Sequence, residues 1–248
     1  MVKLSVVIIT FNEEKNIKKC LDSVIDISDD IIIIDSFSND NTLDICSKYP
    51  TVRFIQKEWA GYSKTKNFAN KQAQHPYILS LDADEVLSTE LKRSIQNIQK
   101  LEGVFEFNRL TNYCGSWVKH CGWYPDKKIR IFPKNEVFWE GDYVHETLVV
   151  PPHLNVSFLE GDLLHYSYYT LSDHYQQIEK YSTLHAKKMI HDGKSASIYK
   201  LLISPTFKFI KTYFLQLGFL DGKAGYQISK ISAFAVKLKY QKLRNLES

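Results

Sequence analysis

Three short stretches constrain this chain more than any other feature: "LSVVII" (residues 4–9), "DIIIIDS" (residues 30–36) and "YILSLD" (residues 77–82). Each is a near-continuous apolar run rich in β-branched residues. A strand with one wet face alternates polar and apolar side chains. A strand buried on both faces, as in a parallel sheet, reads like these. Helical patterns lie between them, at residues 14–24 (with Ile17, Leu21 and Val24 at helical spacing), 42–49 and 63–74. Strands alternating with helices predict right-handed βαβ units and an open α/β sheet, with a shorter strand at residues 52–56. Ser88 fits a helix N-cap, with Glu90 in the first turn.

Beyond residue 103 the pattern changes. "GVFEFNRL", "KIRIFP" and "HLNVSFLEG" read as short aromatic strands, and from Leu171 the chain reads as helix to nearly its end, with a break at Pro205. The predicted organisation is an α/β domain over residues 1–170, in two halves that meet near residue 100, and a helical, basic extension over residues 171–248. At 248 residues, 44% hydrophobic and 24% charged, the chain has the make-up of a globular protein. The net charge of +4 is unevenly spread: residues 200–248 hold nine Lys/Arg against two Asp/Glu, net +7, so residues 1–199 carry −3. That points to a localised basic surface and argues against a nucleic-acid-binding body. Cys20, Cys46, Cys114 and Cys121 form no CxxC pair, which suits a reduced, intracellular chain. The spacing of Cys114 and Cys121, with no second pair, argues against a zinc loop around His120. The apolar start runs too soon into Asn12, Glu13 and Glu14 for a signal peptide. No run reaches the roughly 18 apolar residues of a membrane span.

Open α/β sheets bind ligands beyond the carboxyl ends of their strands. Here those ends carry Thr10-Phe11-Asn12-Glu13, Asp35-Ser36 and Asp82-Ala83-Asp84. Three carboxylate-bearing strand ends in one sheet exceed chance placement. Carboxylates as close as those in "DADE" stay ionised only beside water, cations or a bound metal. Period-two alternation along an extension of the strand puts Asp82 and Asp84 on one side and Glu85 on the other. Glu85 then reads as a solvated or helix-facing carboxylate. Neither GxGxxG nor GxxxxGK[ST] occurs, so a nucleotide diphosphate would need neutralising by metal and basic side chains.

Taken in order, "VVIITFNEEKNIKKCLDSV", "IIIIDSFSNDNT", "KTKNFA" and "LSLDADE" resemble the successive motifs of family 2 glycosyltransferases of the GT-A fold, over residues 1 to about 100. "VHETL" and "LLHYSYYTLSDHYQQIEKY" resemble the narrower subgroup that adds glucose to the inner core of bacterial lipopolysaccharide or lipooligosaccharide. The resemblance implies a Rossmann-like open mixed sheet with flanking helices. It also implies inverting transfer of a hexose, glucose foremost, from a nucleotide diphosphate sugar, a UDP-sugar foremost, with Mg²⁺ or Mn²⁺. By position it puts Thr10, Asn12 and Glu13 in the nucleotide pocket, Asp35 on the base, and Asp82 at the ribose or metal. Asp84 becomes a metal ligand, and hard oxygen donors suit those ions. Lys66 fits the diphosphate better than Lys64 or Arg130. His165 is offered as a third metal contact, although a lone histidine after an apolar run also reads as a core residue. Glu146 becomes the base that activates the acceptor hydroxyl, with Asp142 second, although His145-Glu146 also read as braces of an acceptor loop. Asn41 stands where the family commonly has glycine. Asparagine tolerates a left-handed backbone, so the turn is expected to persist. Asp40 reads equally as a helix cap or a nucleotide contact.

Trp117, Trp123, Trp139 and Tyr143 are candidates for a sugar-stacking platform or for plain core. In the tail, "SPTFKFIKTYFLQLGFLDG" puts Phe207, Ile210, Phe214 and Leu217 on one helical face beside Lys208 and Lys211. It reads as an interfacial helix pair on an anionic membrane surface, here the inner face of the plasma membrane. Packing on the protein's own body, or on a second copy in a homodimer, is the alternative. The expected partners are the nucleotide diphosphate sugar, a lipid-linked saccharide acceptor and that surface, with no nucleic acid. Competing readings are a non-catalytic nucleotide-sugar or lipid-binding module and transfer to another cell-surface polysaccharide or a protein. A nucleotidyltransferase needs a basic phosphate loop where this chain has the acidic "TFNEEKN".

Overall fold

The computed structural model describes residues 3–141, 146–193, 195 and 197–247. The chain divides into two compact units, Met1–Arg109 with Asp126–His165, and Leu110–Pro125 with Tyr166–Ser248. This differs from a cut at residue 170. An excursion in mid-chain, residues 110–125, groups with the C-terminal helices.

In the first unit the apolar runs become β1 (Leu4–Thr10), β2 (Ile31–Asp35) and β4 (Tyr77–Asp82), with β3 (Val52–Gln56) outside β2. All four are parallel. β1 and β2 are buried along their whole length, as expected of strands covered on both faces. The helices α1 (Ile17–Val24), α2 (Thr42–Cys46) and α3 (Tyr62–Lys71) connect them. The remaining strands are β5 (Glu85–Leu87), β6 (Val104–Tyr113), β7 (Ser116–Val118), β8 (Lys127–Pro133), β9 (Phe138–Glu140), β10 (Thr147–Val149) and β11 (Val156–Tyr168). The sheet runs β3-β2-β1-β4-β8-β6-β11-β5. β8 is antiparallel to β4 and β6, and β5 is antiparallel to β11, so the sheet is mixed. β9 and β10 form a separate hairpin.

Alternate residues of the central strands feed two cores. Leu4, Val6 and Ile8 join Ile31 and Ile33 with the fully buried Ile17, Cys20, Leu21 and Val24 of α1. Val7, Ile9, Ile32 and Ile34 join Ala69 of α3 with Phe132 and Trp139. Burying one such large aliphatic side chain stabilises the fold by about 1.5–3 kcal/mol. α4 (Thr89–Gln96) starts at Ser88, whose Oγ accepts from the Leu91 N–H at 3.2 Å, and it buries Leu91 and Ile95 in the first core. Register then fixes where the carboxylates fall. Thr10 pairs with Asp35, and Ile9 with Asp82, so three strand ends lie level. The chain does not run on extended after Asp82. It turns at Ala83 and Asp84 and re-enters the sheet as β5 beside β11. The alternation argument for Asp82 and Asp84 therefore does not apply.

In the second unit Tyr113, Val118, Cys121, Ala224 and Ile228 form a small core. The rings of Tyr113, Trp123, Tyr168 and His174 cluster beside it. α5 (Leu171–His191) opens on a capping box between Thr170 and Asp173. α6 (Ile198–Ile210) runs through Pro205 instead of stopping there and continues in a π-helical turn, Lys211–Leu215. A proline removes one backbone bond from a helix, which weakens it without ending it. The reversal comes later, at Leu217 (φ 55°) and Gly222 (φ 57°), through the 3₁₀ turn Gly218–Asp221 into α7 (Gly222–Glu247). α7 packs on α5 and α6. A Cβ on Gly225 would lie 1.8 Å from the Gly218 carbonyl oxygen, so this packing requires glycine. Among the described residues, no helix is long and apolar enough to cross a membrane.

Candidate active site

The loops after β1 and β2 are laced together. Asp35 is fully buried and accepts from the Ser38 N–H at 2.9 Å, from the Ser38 hydroxyl, and from Gln56 Nε2 at 3.4 Å. The same Ser38 Oγ accepts from the Asn12 N–H at 2.8 Å, and the Asn12 side-chain oxygen accepts from the Asn39 N–H at 2.9 Å. The Glu13 N–H donates to Thr42 Oγ1 at 2.9 Å. Asp40 accepts from the Glu14 and Thr42 N–H groups, each at 3.0 Å, so it braces both loops. Asn41 is not left-handed (φ −77°). The left-handed residues here are Asn12 (φ 55°) and Phe37 (φ 61°), which corrects the expectation that Asn41 replaces a turn glycine. Burial foremost, against a 2.8 Å hydrogen bond from Asn16 and with the charges of Asp84, Asp40 and Asp82 adding to it, pushes Glu13 up to about 7.

A charged cluster surrounds Asp82. Buried Lys66 of α3 places Nζ 3.1 Å from Asp82 and 4.0 Å from Glu146, and 4.5 Å from the centre of the Trp139 ring. Buried Arg130 of β8 donates to Asp82 at 3.0 Å and to Glu85. Burial raises the pKa of Asp82, but Lys66 and Arg130 outweigh it and hold the carboxyl well below the usual carboxylate range. Glu85 is not solvated. It is fully buried, accepts the Asp82 N–H at 3.0 Å, and has Arg109 at 3.6 Å besides Arg130. Reading it as a solvated or helix-facing carboxylate overlooked two arginines that β6 and β8 deliver to the same place. The signal was legible in "IRIF" and "NRL", where an arginine sits beside apolar residues of a strand.

Asp84 lies apart from that cluster in its contacts. Its Oδ2 is 3.1 Å from His165 Nε2. The β5–β11 register that aligns Glu85 with His165 brings together residues some eighty positions apart. Burial works to lower the His165 pKa, but the hydrogen bond and charge of Asp84, with Glu85 behind, outweigh it and raise it. Among the described residues no three of His, Cys, Asp and Glu converge as a metal set. Asp82 is engaged by Lys66 and Arg130, whereas Asp84 is paired with His165.

Glu146 lines a cavity of about 490 Å³ together with Lys66, Asp82, Arg109, Lys128, Arg130 and Trp139. Thr10 Oγ1, Arg130 Nε, Trp139 Nε1 and His165 Nδ1 are buried with no hydrogen-bond partner among the described residues. Each such atom costs about 1–3 kcal/mol unless a ligand or water meets it. Asp142, Tyr143 and His145 lie outside the described residues. Trp139 is in the second core of the first unit, Trp123 in the aromatic cluster of the second, and Trp117 sits edge-on to Tyr166.

Sequence comparison decides what this site belongs to. Residues 5–142, more than half of the chain, match the profile of glycosyl transferase family 2. The chain belongs to that family. This family 2 glycosyltransferase is 31% identical to an uncharacterised glycosyltransferase of Rickettsia typhi, over 99% of the chain and 88% of the relative. It is 29% identical to LpsC, a lipopolysaccharide core biosynthesis glycosyltransferase of Rhizobium meliloti, over 90% and 85%. Its fold matches that of a mannosyltransferase of Pyrobaculum calidifontis in complex with GDP-Man and Mn²⁺, with a TM-score of 0.53 at 14% identity, over 99% and 88% of the two chains. The mixed sheet with flanking helices is the GT-A fold.

The chemistry of the Asp84–His165 pair suits a divalent cation. Mg²⁺ takes one or two protein ligands, with substrate phosphates and waters completing an octahedron at about 2.1 Å. One carboxylate oxygen and one imidazole nitrogen also suit Mn²⁺.

Proposed function

We propose that this glycosyltransferase moves a hexose, glucose foremost, from a UDP-sugar to a lipid-linked core saccharide of lipopolysaccharide, with inversion, at the inner face of the plasma membrane. The likeness to LpsC along most of both chains supports the acceptor class. The observation that carries the chemistry is Lys66, which stands between Asp82 (3.1 Å) and Glu146 (4.0 Å) at one cavity. In this reading Glu146 takes the proton of the acceptor hydroxyl as its oxygen attacks the anomeric carbon. The bond from that carbon to the diphosphate breaks, and the electron pair leaves on the diphosphate oxygen. Lys66 and Arg130 supply fixed positive charge toward that side of the cavity. Asp84 and His165 would hold Mg²⁺ or Mn²⁺, whose chemistry is to neutralise the diphosphate. The laced loops carrying Thr10, Asn12, Glu13 and Asp35 hold the nucleoside.

The test is a screen of nucleotide sugars for transfer and slow hydrolysis, with Mn²⁺ and with chelator. The expected result is Mn²⁺-dependent release of UDP from one donor. Glu146→Gln should lower transfer about 10²–10⁴-fold, the range of a lost general base, while UDP still binds. Full activity in chelator or in Asp84→Ala would remove the metal from the reading, and unimpaired transfer by Glu146→Gln would remove the base.

A further inference from the structure

The second unit leaves one helical face uncovered. On α6, Tyr199, Leu202, Ile203, Phe207 and Ile210 are all exposed, the first four at 72, 66, 61 and 60%. Phe214 and Leu215 continue the face through the π-helical turn at 54 and 70%. Monomeric proteins scatter exposed apolar side chains singly, and a contiguous band of this kind marks an interaction surface. The segment packs on α7, and Thr212 and Gly218 within it are buried.

The charge around this band has one sign. Residues 193–220 contain four lysines and no Asp or Glu. Lys200 and Lys211 are exposed beside the band, and Lys223 follows just past the turn. Asp221, the nearest acid along the chain, has its side chain only 7% exposed and is taken up by His120 at 2.8 Å. An apolar face edged by lysines, on a helix that is not long and apolar enough to cross a bilayer, has the chemistry of a helix lying in a lipid headgroup region. A two-fold contact between copies would bring the same lysine edge against itself, which disfavours a second copy as the occupant.

We propose that residues 199–220 dock on an anionic lipid bilayer, with the α6 face in the boundary between headgroups and acyl chains and the lysines at lipid phosphates. The proposal names the membrane partner of the lipid-acceptor reading and rests on that reading for its purpose. The test uses the full chain and sedimentation with vesicles of phosphatidylcholine alone or with about 30% phosphatidylglycerol. Binding is expected to the mixed vesicles, weakening as salt rises. Ile203→Glu with Phe207→Glu, and separately Lys200→Glu with Lys211→Glu, should each lower partitioning about tenfold or more. Both pairs lie at exposed positions remote from the cavity residues in sequence, so donor hydrolysis should be unchanged and reports that the chain is folded. Absence of binding to the mixed vesicles, or undiminished binding by both variants, overturns the proposal. So does a dimer in sedimentation equilibrium that Ile203→Glu with Phe207→Glu dissolves. A chain that hydrolyses donor but ignores vesicles overturns this inference alone. One that binds vesicles but turns over no donor overturns the functional reading alone.

Discussion

At the scale of single residues, the most informative is Glu85. Its carboxylate neutralises Arg130 and faces Arg109 with no water contact, and it receives the backbone N–H of Asp82. Removing one partner of a buried pair leaves an uncompensated charge, at a cost of about 3–5 kcal/mol. Glu85→Gln should therefore lose about 3 kcal/mol of unfolding free energy in urea titration, although the side chain keeps its shape. A loss within about 0.5 kcal/mol of zero would mean that the pair is effectively solvated. His174 makes a prediction of a different kind. Burial pushes it down to about 4, and its Nδ1 shares a 2.9 Å hydrogen bond with the buried Tyr113 hydroxyl. In the unfolded chain it titrates near 6.5. Between those values the unfolded state binds a proton that the folded state refuses. Stability is therefore whole above pH 6.5 and falls as the pH drops toward 4, by up to an order of 3 kcal/mol. His174→Gln should flatten that acid slope in urea titrations at several pH values, and an unchanged slope would place its origin elsewhere.

At the scale of elements, the turn between α6 and α7 is held by contact of one glycine with another. Gly225 allows α7 to approach the Gly218 carbonyl, so Gly225→Ala must push the helix away from the 3₁₀ turn. Overpacking of this kind costs about 1–3 kcal/mol, and thermal unfolding should register the loss. What was legible in the sequence divides along similar lines. β1, β2 and β4 could be read because a strand buried on both faces leaves an unbroken apolar run. β5 could not, because three residues carry no period, and without β5 only the family resemblance, not the pattern of residues, put Asp84 with His165. The acidic strand ends were readable as a group. Which carboxylate takes which cation was not, since Arg109 and Arg130 arrive on strands whose order in the sheet the sequence does not state. Pro205 misled because a proline weakens a helix locally, whereas the reversal is decided by left-handed backbone at Leu217 and Gly222.

At the scale of the whole molecule, the two units own separate cores, and two groups that respond to acid in opposite senses fall in different units. The first unit contains the cavity, the Asp84–His165 pair and Glu13, and the second contains His174. Glu13 acts on stability in the opposite sense to His174. Its folded value of about 7 lies above the unfolded 4.5, so the stability it lends is whole below pH 4.5 and is lost as pH rises through 7. A chain with two compact units need not unfold in one step, and calorimetry should resolve two transitions if each unit melts on its own. Lowering the pH from 7 to 5 should then raise the transition of the first unit and lower that of the second. UDP with Mn²⁺ at about 100 times its dissociation constant adds about 2.7 kcal/mol to the folded state it binds. That corresponds to a rise of about 5–10 °C in the transition that contains the site. The shift should appear in the first unit alone and vanish in Asp84→Ala. A single transition that ligand and acid move together would show instead that the two units fold as one cooperative body.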